Sequence, residues 1–194
     1  MSENIIEKNY QTYEKGLIKL FGEEACVNLV EALGGATKIA KASYANLADS
    51  GSAYEGSFVK NIIKLTRLAN ELNALLPEEV KAPAESINKV CMLSQIAKVL
   101  LFEENDNTWE ITNRGIVYKY AKLDGALRVG ERSCLIASNA GIKFTETEYE
   151  AMRILDKSTD DDAYSKYYSS SLSMVVRQAA EILTMINRTN ANQQ

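Results

Sequence analysis

The sequence predicts an all-α domain carrying one small β-hairpin, and three observations lead to that class. Apolar residues recur at helical spacing through most of the chain, only two prolines, Pro77 and Pro83, interrupt it, and period-two alternation is confined to about residues 108–120. The 194 residues, 46% hydrophobic and 25% charged, suffice for a single domain with a sizeable core. That domain is expected over 1–188, followed by a flexible polar tail at 189–194.

The elements follow in order. Residues 4–21, 24–33, 36–48 and 55–75 read as helices, the last marked by a stripe of Ile62, Leu65, Leu68, Ala69 and Leu72. Gly34-Gly35 separates the second and third helices, and Asp49-Ser50-Gly51-Ser52 the third and fourth. The prolines flank a short helix-to-helix connector. Residues 84–102 are apolar on most faces and read as one central helix. Thr108–Thr112 and Arg114–Tyr120 then alternate with β-branched and aromatic residues, as a hairpin turning at 113–115, with Trp109 as a core anchor. Helical spacing resumes over 131–139 and after Thr145, where Thr145 and Glu148 have capping-box spacing. A polar stretch from Ser158 to Ser171, with Asp160-Asp161-Asp162 and the tyrosines Tyr164, Tyr167 and Tyr168, reads as a surface loop. It lacks the alternating ligands of a calcium loop; the tyrosines either form an interaction surface or cover the bundle end. A last helix covers 172–188.

Composition excludes several function classes. A net charge of −4 disfavours general nucleic-acid binding, and no apolar run approaches a membrane span. Cys26, Cys91 and Cys134 stand far apart in apolar surroundings, as reduced buried thiols do, so the expected location is the cytoplasm. No histidine occurs, which removes the commonest metal ligand and general base. Phosphate-binding glycine loops and nucleophile-elbow motifs are also missing.

Several local phrases carry a family likeness. Ala53–Asn61, Met92–Val99, Leu127–Ser133 (Leu-Arg-Val-Gly-Glu-Arg-Ser), Ala151–Leu155 and Val176–Ala180 occur in an order that resembles the HD-domain phosphohydrolase superfamily. The nearest likeness is to single-domain bacterial HD hydrolases related to the HD portion of 3′-to-5′ exoribonucleases, over about residues 30–188. The resemblance implies a single HD-domain-like helical bundle. It also implies a metal site of histidine and aspartate ligands that activates water against phosphate esters. At each implied ligand position this chain departs from the pattern: Asn61, Ser94, Gln95, Val129, Leu155, Arg177 and Ala180 stand there. Shifting the matching by one residue would bring in Asp156 or Glu181, but a one-residue shift turns a helix position by about 100°.

The expectation is therefore a catalytically inactive member of this superfamily, without metal or other cofactor, that acts as a structural or interaction module with a protein partner or by self-assembly. The degenerate likeness also suggests a phage-encoded structural protein, located in the virion; no individual residue carries that. Two alternatives stay open. Lys98, Arg128, Arg132, Arg153 and Arg177 lie in or near the same phrases and form a candidate anion site for a nucleotide or phosphate sensor. A rebuilt metal-dependent phosphohydrolase using Asp156 and Glu181 is the other. Against the sensor stands internal pairing, with Asn61, Ser94 and Gln95 satisfying one another and the basic side chains meeting Glu131, Asp156 and Glu181.

Overall fold

The computed structural model describes residues 2–155 and 170–192, and over these the fold is all-α with a single two-stranded sheet. The first half is a run of helices: α1 (Glu3–Phe21), α2 (Glu23–Ala32), α3 (Ala36–Lys41) and α4 (Ser57–Ala74). On α4 the predicted stripe faces inward, with Ile62, Leu65 and Ala69 fully buried and Leu68 and Leu72 packed at its margin. The helix expected to reach residue 48 stops at Lys41. Instead residues 42–56 loop back, and Ser57 Oγ accepts from the Tyr44 N–H (2.9 Å) and donates to the Ser52 carbonyl (2.6 Å). Polar side chains therefore compete with helix continuation there.

The proline-flanked connector contains one 3₁₀ turn at Glu78–Val80. Asn73, near the end of α4, clamps it: its amide donates to the Ala82 carbonyl (3.0 Å) and its oxygen accepts from the Ala82 N–H (2.9 Å). The apolar segment that follows is two helices rather than the single one expected over 84–102. It comprises α5 (Ala84–Leu93) and the one-turn α6 (Lys98–Leu101), joined by a buried 94–97 turn. No proline or glycine marks the break. Ser133 of a later helix supplies the missing acceptor, its Oγ taking the Ala97 N–H at 3.1 Å, so a tertiary hydrogen bond satisfies a donor the broken helix leaves free.

The small sheet is real but displaced. Strand β1 (Phe102–Glu104) pairs antiparallel with β2 (Tyr118–Tyr120), Phe102 opposite Tyr120. Between them Thr108–Arg114, which spans the predicted first strand Thr108–Thr112 and the start of its turn, forms α7. Asn107 caps it by accepting from the Trp109 and Glu110 N–H groups, and Gly115 ends it in the left-handed region at φ 64°. These two stop signals, one helix length apart, override the period-two pattern. Trp109 is 62% exposed, so the expectation of a core anchor is wrong: capping turns the tryptophan outward on a helix too short to bury it.

Helices α8 (Val129–Asn139), α9 (Glu146–Ile154) and α10 (Ser171–Ala191) complete the bundle. The capping box at Thr145 has the predicted geometry, with the Thr145 hydroxyl accepting from Glu148 N–H and the Glu148 carboxylate from Thr145 N–H. Helix α10 continues past Arg188 to Ala191, three residues into the segment expected as tail. Its C-terminal turn is held against Gly51, which packs on the Asn187 backbone and Ala191. The three cysteines are buried and free; burial pushes the Cys134 thiol up to about 11 and the other two upward as well. The Asp160–Asp162 run and the tyrosine cluster lie outside the described residues, as does Asp156. No helix among the described residues is long and apolar enough to cross a membrane.

One buried ion pair ties α5 to α9. Lys89 Nζ lies 2.7 Å from the Glu148 carboxylate, which also accepts from Ser86 (2.9 Å). Burial pushes the Glu148 carboxyl upward, but the bonds from Lys89, the Thr145 N–H and Ser86 outweigh it, and the net shift is below the ordinary 4.5. A depressed carboxyl stabilises the fold fully above its unfolded value and loses that contribution as pH falls through its folded value. Lys89→Met is expected to cost about 2 kcal/mol at neutral pH. That sits below the 3–5 typical of a stranded buried charge, because Glu148 keeps two other donors. The deficit relative to wild type is expected to shrink in urea titrations below pH 4.5; a pH-independent deficit contradicts the assignment.

Candidate functional site

The positions that the resemblance implies as ligands sit on five elements, and several of the side chains there have structural partners. Asn61, on α4, is 2% exposed. Its amide donates to the Ser57 carbonyl at 2.8 Å and meets Ser52 Oγ at 3.5 Å, while its oxygen accepts from Asn187 of α10 at 2.8 Å. The partner is thus Asn187, which the sequence reading missed. A signal was present: Asn187 continues the buried spacing of Leu172, Val176, Ala179 and Leu183, a polar residue on an apolar face.

Ser94 and Gln95 occupy the buried turn between α5 and α6. Ser94 is fully buried and its hydroxyl has no hydrogen-bond partner among the described residues. An unpaired buried hydroxyl costs about 1–3 kcal/mol of desolvation. Ser94→Ala is therefore expected to leave stability unchanged or raise it by about 1 kcal/mol, read from the urea midpoint; a loss above that size would show that the hydroxyl has a partner after all.

The remaining positions lie around α8–α10. Val129 is the half-buried first residue of α8. Leu155 caps α9 and, with Ala180, packs against the hydrophobic core. Arg177 bridges two helices: Nη1 donates to the Ile154 carbonyl (2.8 Å) and Nε to Glu181 (2.6 Å). It satisfies a carbonyl left open at the end of α9, the role of a basic residue at a helix C-terminus. Asn61 contacts α10 at Asn187, seven residues or about 10 Å of helix beyond Ala180. The Asn61 contact and Ala180 thus lie on different turns of α10.

The other basic residues of the candidate anion site are also engaged. Lys98 lies over the Tyr44 ring at 3.8 Å. Arg132 donates to the Asp124 and Gly125 carbonyls (3.1 and 2.8 Å), and Arg153 pairs with Glu131 at 3.5 Å beside Tyr149. Glu131 also accepts from the Arg128 backbone N–H (3.3 Å), fixing the start of α8. Two of the expected acidic partners, Glu131 and Glu181, thus take the expected roles. Among the described residues no group of three or more Cys, Asp or Glu side chains is placed to hold a metal.

Among the described residues, surface cavities lie elsewhere; one of about 600 Å³ lies between α1 and α3 beneath Glu3, Glu7 and Lys41. One of about 260 Å³ borders Lys89 and Lys143, and one of about 270 Å³, walled by Tyr13, Gly16, Ile62 and Met92, is mostly apolar. None is lined by any of the seven positions. Comparison with protein-family models, with curated proteins and with solved structures finds no match to this chain.

Proposed function

We propose that the chain is a catalytically inactive HD-domain-like protein that works as a structural or interaction module. One observation carries the reading: Asn61, at the position of the first implied ligand, is committed on both sides of its amide to Ser57 and Asn187. Satisfied buried polar groups of this kind specify packing and need no ligand. Leu155 and Ala180 in the core, and Arg177 in a helix-capping role, support it further. A nucleotide or phosphate sensor has less support, because Lys98, Arg132, Arg153 and Arg177 already have internal partners. Of the rebuilt hydrolase's two carboxylates, Asp156 lies outside the described residues and Glu181 is exposed and bound to Arg177. The resemblance further suggests a phage structural protein.

The test is assembly. Light scattering after size exclusion, together with mass spectrometry of what copurifies from the native host, is expected to show a defined oligomer or a stoichiometric partner. A strict monomer without a partner would contradict the proposal.

A further inference from the structure

We infer that the outer face shared by α4 and α10 docks an acidic amphipathic helix of a partner protein, an inference that rests on the interaction-module reading. Asn187, near the end of α10, meets Asn61, near the start of α4, and Gly51, just before α4, packs on Asn187 and Ala191. Helix α10 therefore runs back along α4. Each residue turns a helix by about 100°. Lys60 and Lys64 are displaced backwards from Asn61 by about 100° and 60°, and Ile186 and Ile182 backwards from Asn187 by about 100° and 140°. In antiparallel right-handed helices, displacement in the same sense emerges on the same side. The two lysines thus border an apolar pair, Ile182 and Ile186, which are 36% and 39% exposed.

The lysines lack the compensation found elsewhere. Both are half-buried, and among the described residues no carboxylate lies within ion-pair distance of either. Lys60 meets only the Tyr54 hydroxyl (3.1 Å) and ring. Lys64 is penalised first by burial and then by Lys60. A helix with apolar residues every third or fourth position would cover the strip, and its glutamates would neutralise the lysines, the helix-in-groove mode of recognition. A second copy fits less well, since the nearby carboxylates Glu71 and Glu181 are already bound to Arg67 and Arg177.

The probe is a fluorescein-labelled helical peptide with leucines on one face and glutamates along both flanks, beside a counterpart with lysine in place of each glutamate. Fluorescence anisotropy is expected to show salt-sensitive binding of the acidic peptide alone. Binding should weaken by about tenfold or more in Lys60→Glu/Lys64→Glu and in Ile182→Ser/Ile186→Ser, each checked by circular dichroism for an intact fold. Failure of the acidic peptide to bind, equal binding by the variants, or a dimer of the chain that Lys60→Glu/Lys64→Glu dissolves would each overturn the inference. Oligomer mass or partner stoichiometry unchanged in both variants would remove this surface while leaving the interaction-module reading intact.

Discussion

Gly51→Ala is expected to destabilise the protein by about 3 kcal/mol or more, lowering the melting temperature by roughly 6–12 °C for a chain of this length. Two costs combine. Gly51 sits at φ 65°, where a Cβ costs about 1–2 kcal/mol. A Cβ built there would also meet the Asn187 carbonyl, its carbon 2.7 Å away and its oxygen nearer still. A backbone carbonyl cannot swing aside as a flexible side chain can, so overpacking adds about 1–3 kcal/mol. The affected contact is the one that seats the end of α10 beside Asn61, so the variant should also loosen the Asn61–Asn187 bond. Differential scanning calorimetry reads the effect; a shift under 2 °C would mean the two segments are not packed in this way.

Asn61→Ala is expected to cost about 3 kcal/mol. The substitution strands the Asn187 amide, itself buried, empties the volume of the Asn61 side chain and removes the second of two hydrogen bonds at the Ser57 carbonyl, which keeps the helical N–H of residue 61; an unsatisfied buried group costs about 1–3 kcal/mol. Asn187→Ala should cost about as much. The double variant should cost less than the sum, with a coupling of about 1 kcal/mol or more, because the second removal strands nothing new between the pair. Additive effects in a urea double-mutant cycle would show that the two asparagines act separately. Asn61→His, which introduces the residue type that the resemblance implies at this position, should destabilise too, since an imidazole cannot reproduce both amide bonds in the same space.

How far these features were legible in the sequence depends on whether their determinants are local. The long helices, the Thr145 capping box and the buried cysteines follow from spacing and side-chain chemistry within one segment. The break at 94–97 does not, because its donor is satisfied by Ser133, far along the chain. The Thr108–Arg114 error has a different origin. The five alternating residues Thr108–Thr112 fit a strand or a short exposed helix equally well, and the decision lay with Asn107 and Gly115 at the ends, where the alternating core drew attention away. At the candidate site, the positions of Glu131 and Glu181 beside basic residues were legible as charge pairs, while the Asn61–Asn187 bond joins residues 126 apart and no local pattern announces it. The Lys89–Glu148 pair was hidden likewise, although Glu148 itself was singled out as a cap.

The central proposal is that the positions which the resemblance implies as metal ligands serve packing instead. It is tested most directly by thermal melting of the wild-type protein across a panel of Mn²⁺, Mg²⁺, Zn²⁺, inorganic phosphate and nucleoside mono-, di- and triphosphates. Any ligand of the native state raises the melting temperature in proportion to the logarithm of its concentration over its dissociation constant. The account predicts no saturable shift with any of them, alone or in combination, up to millimolar concentration. A saturable rise with a divalent metal, strengthened by a nucleotide and accompanied by phosphodiesterase turnover, would contradict it.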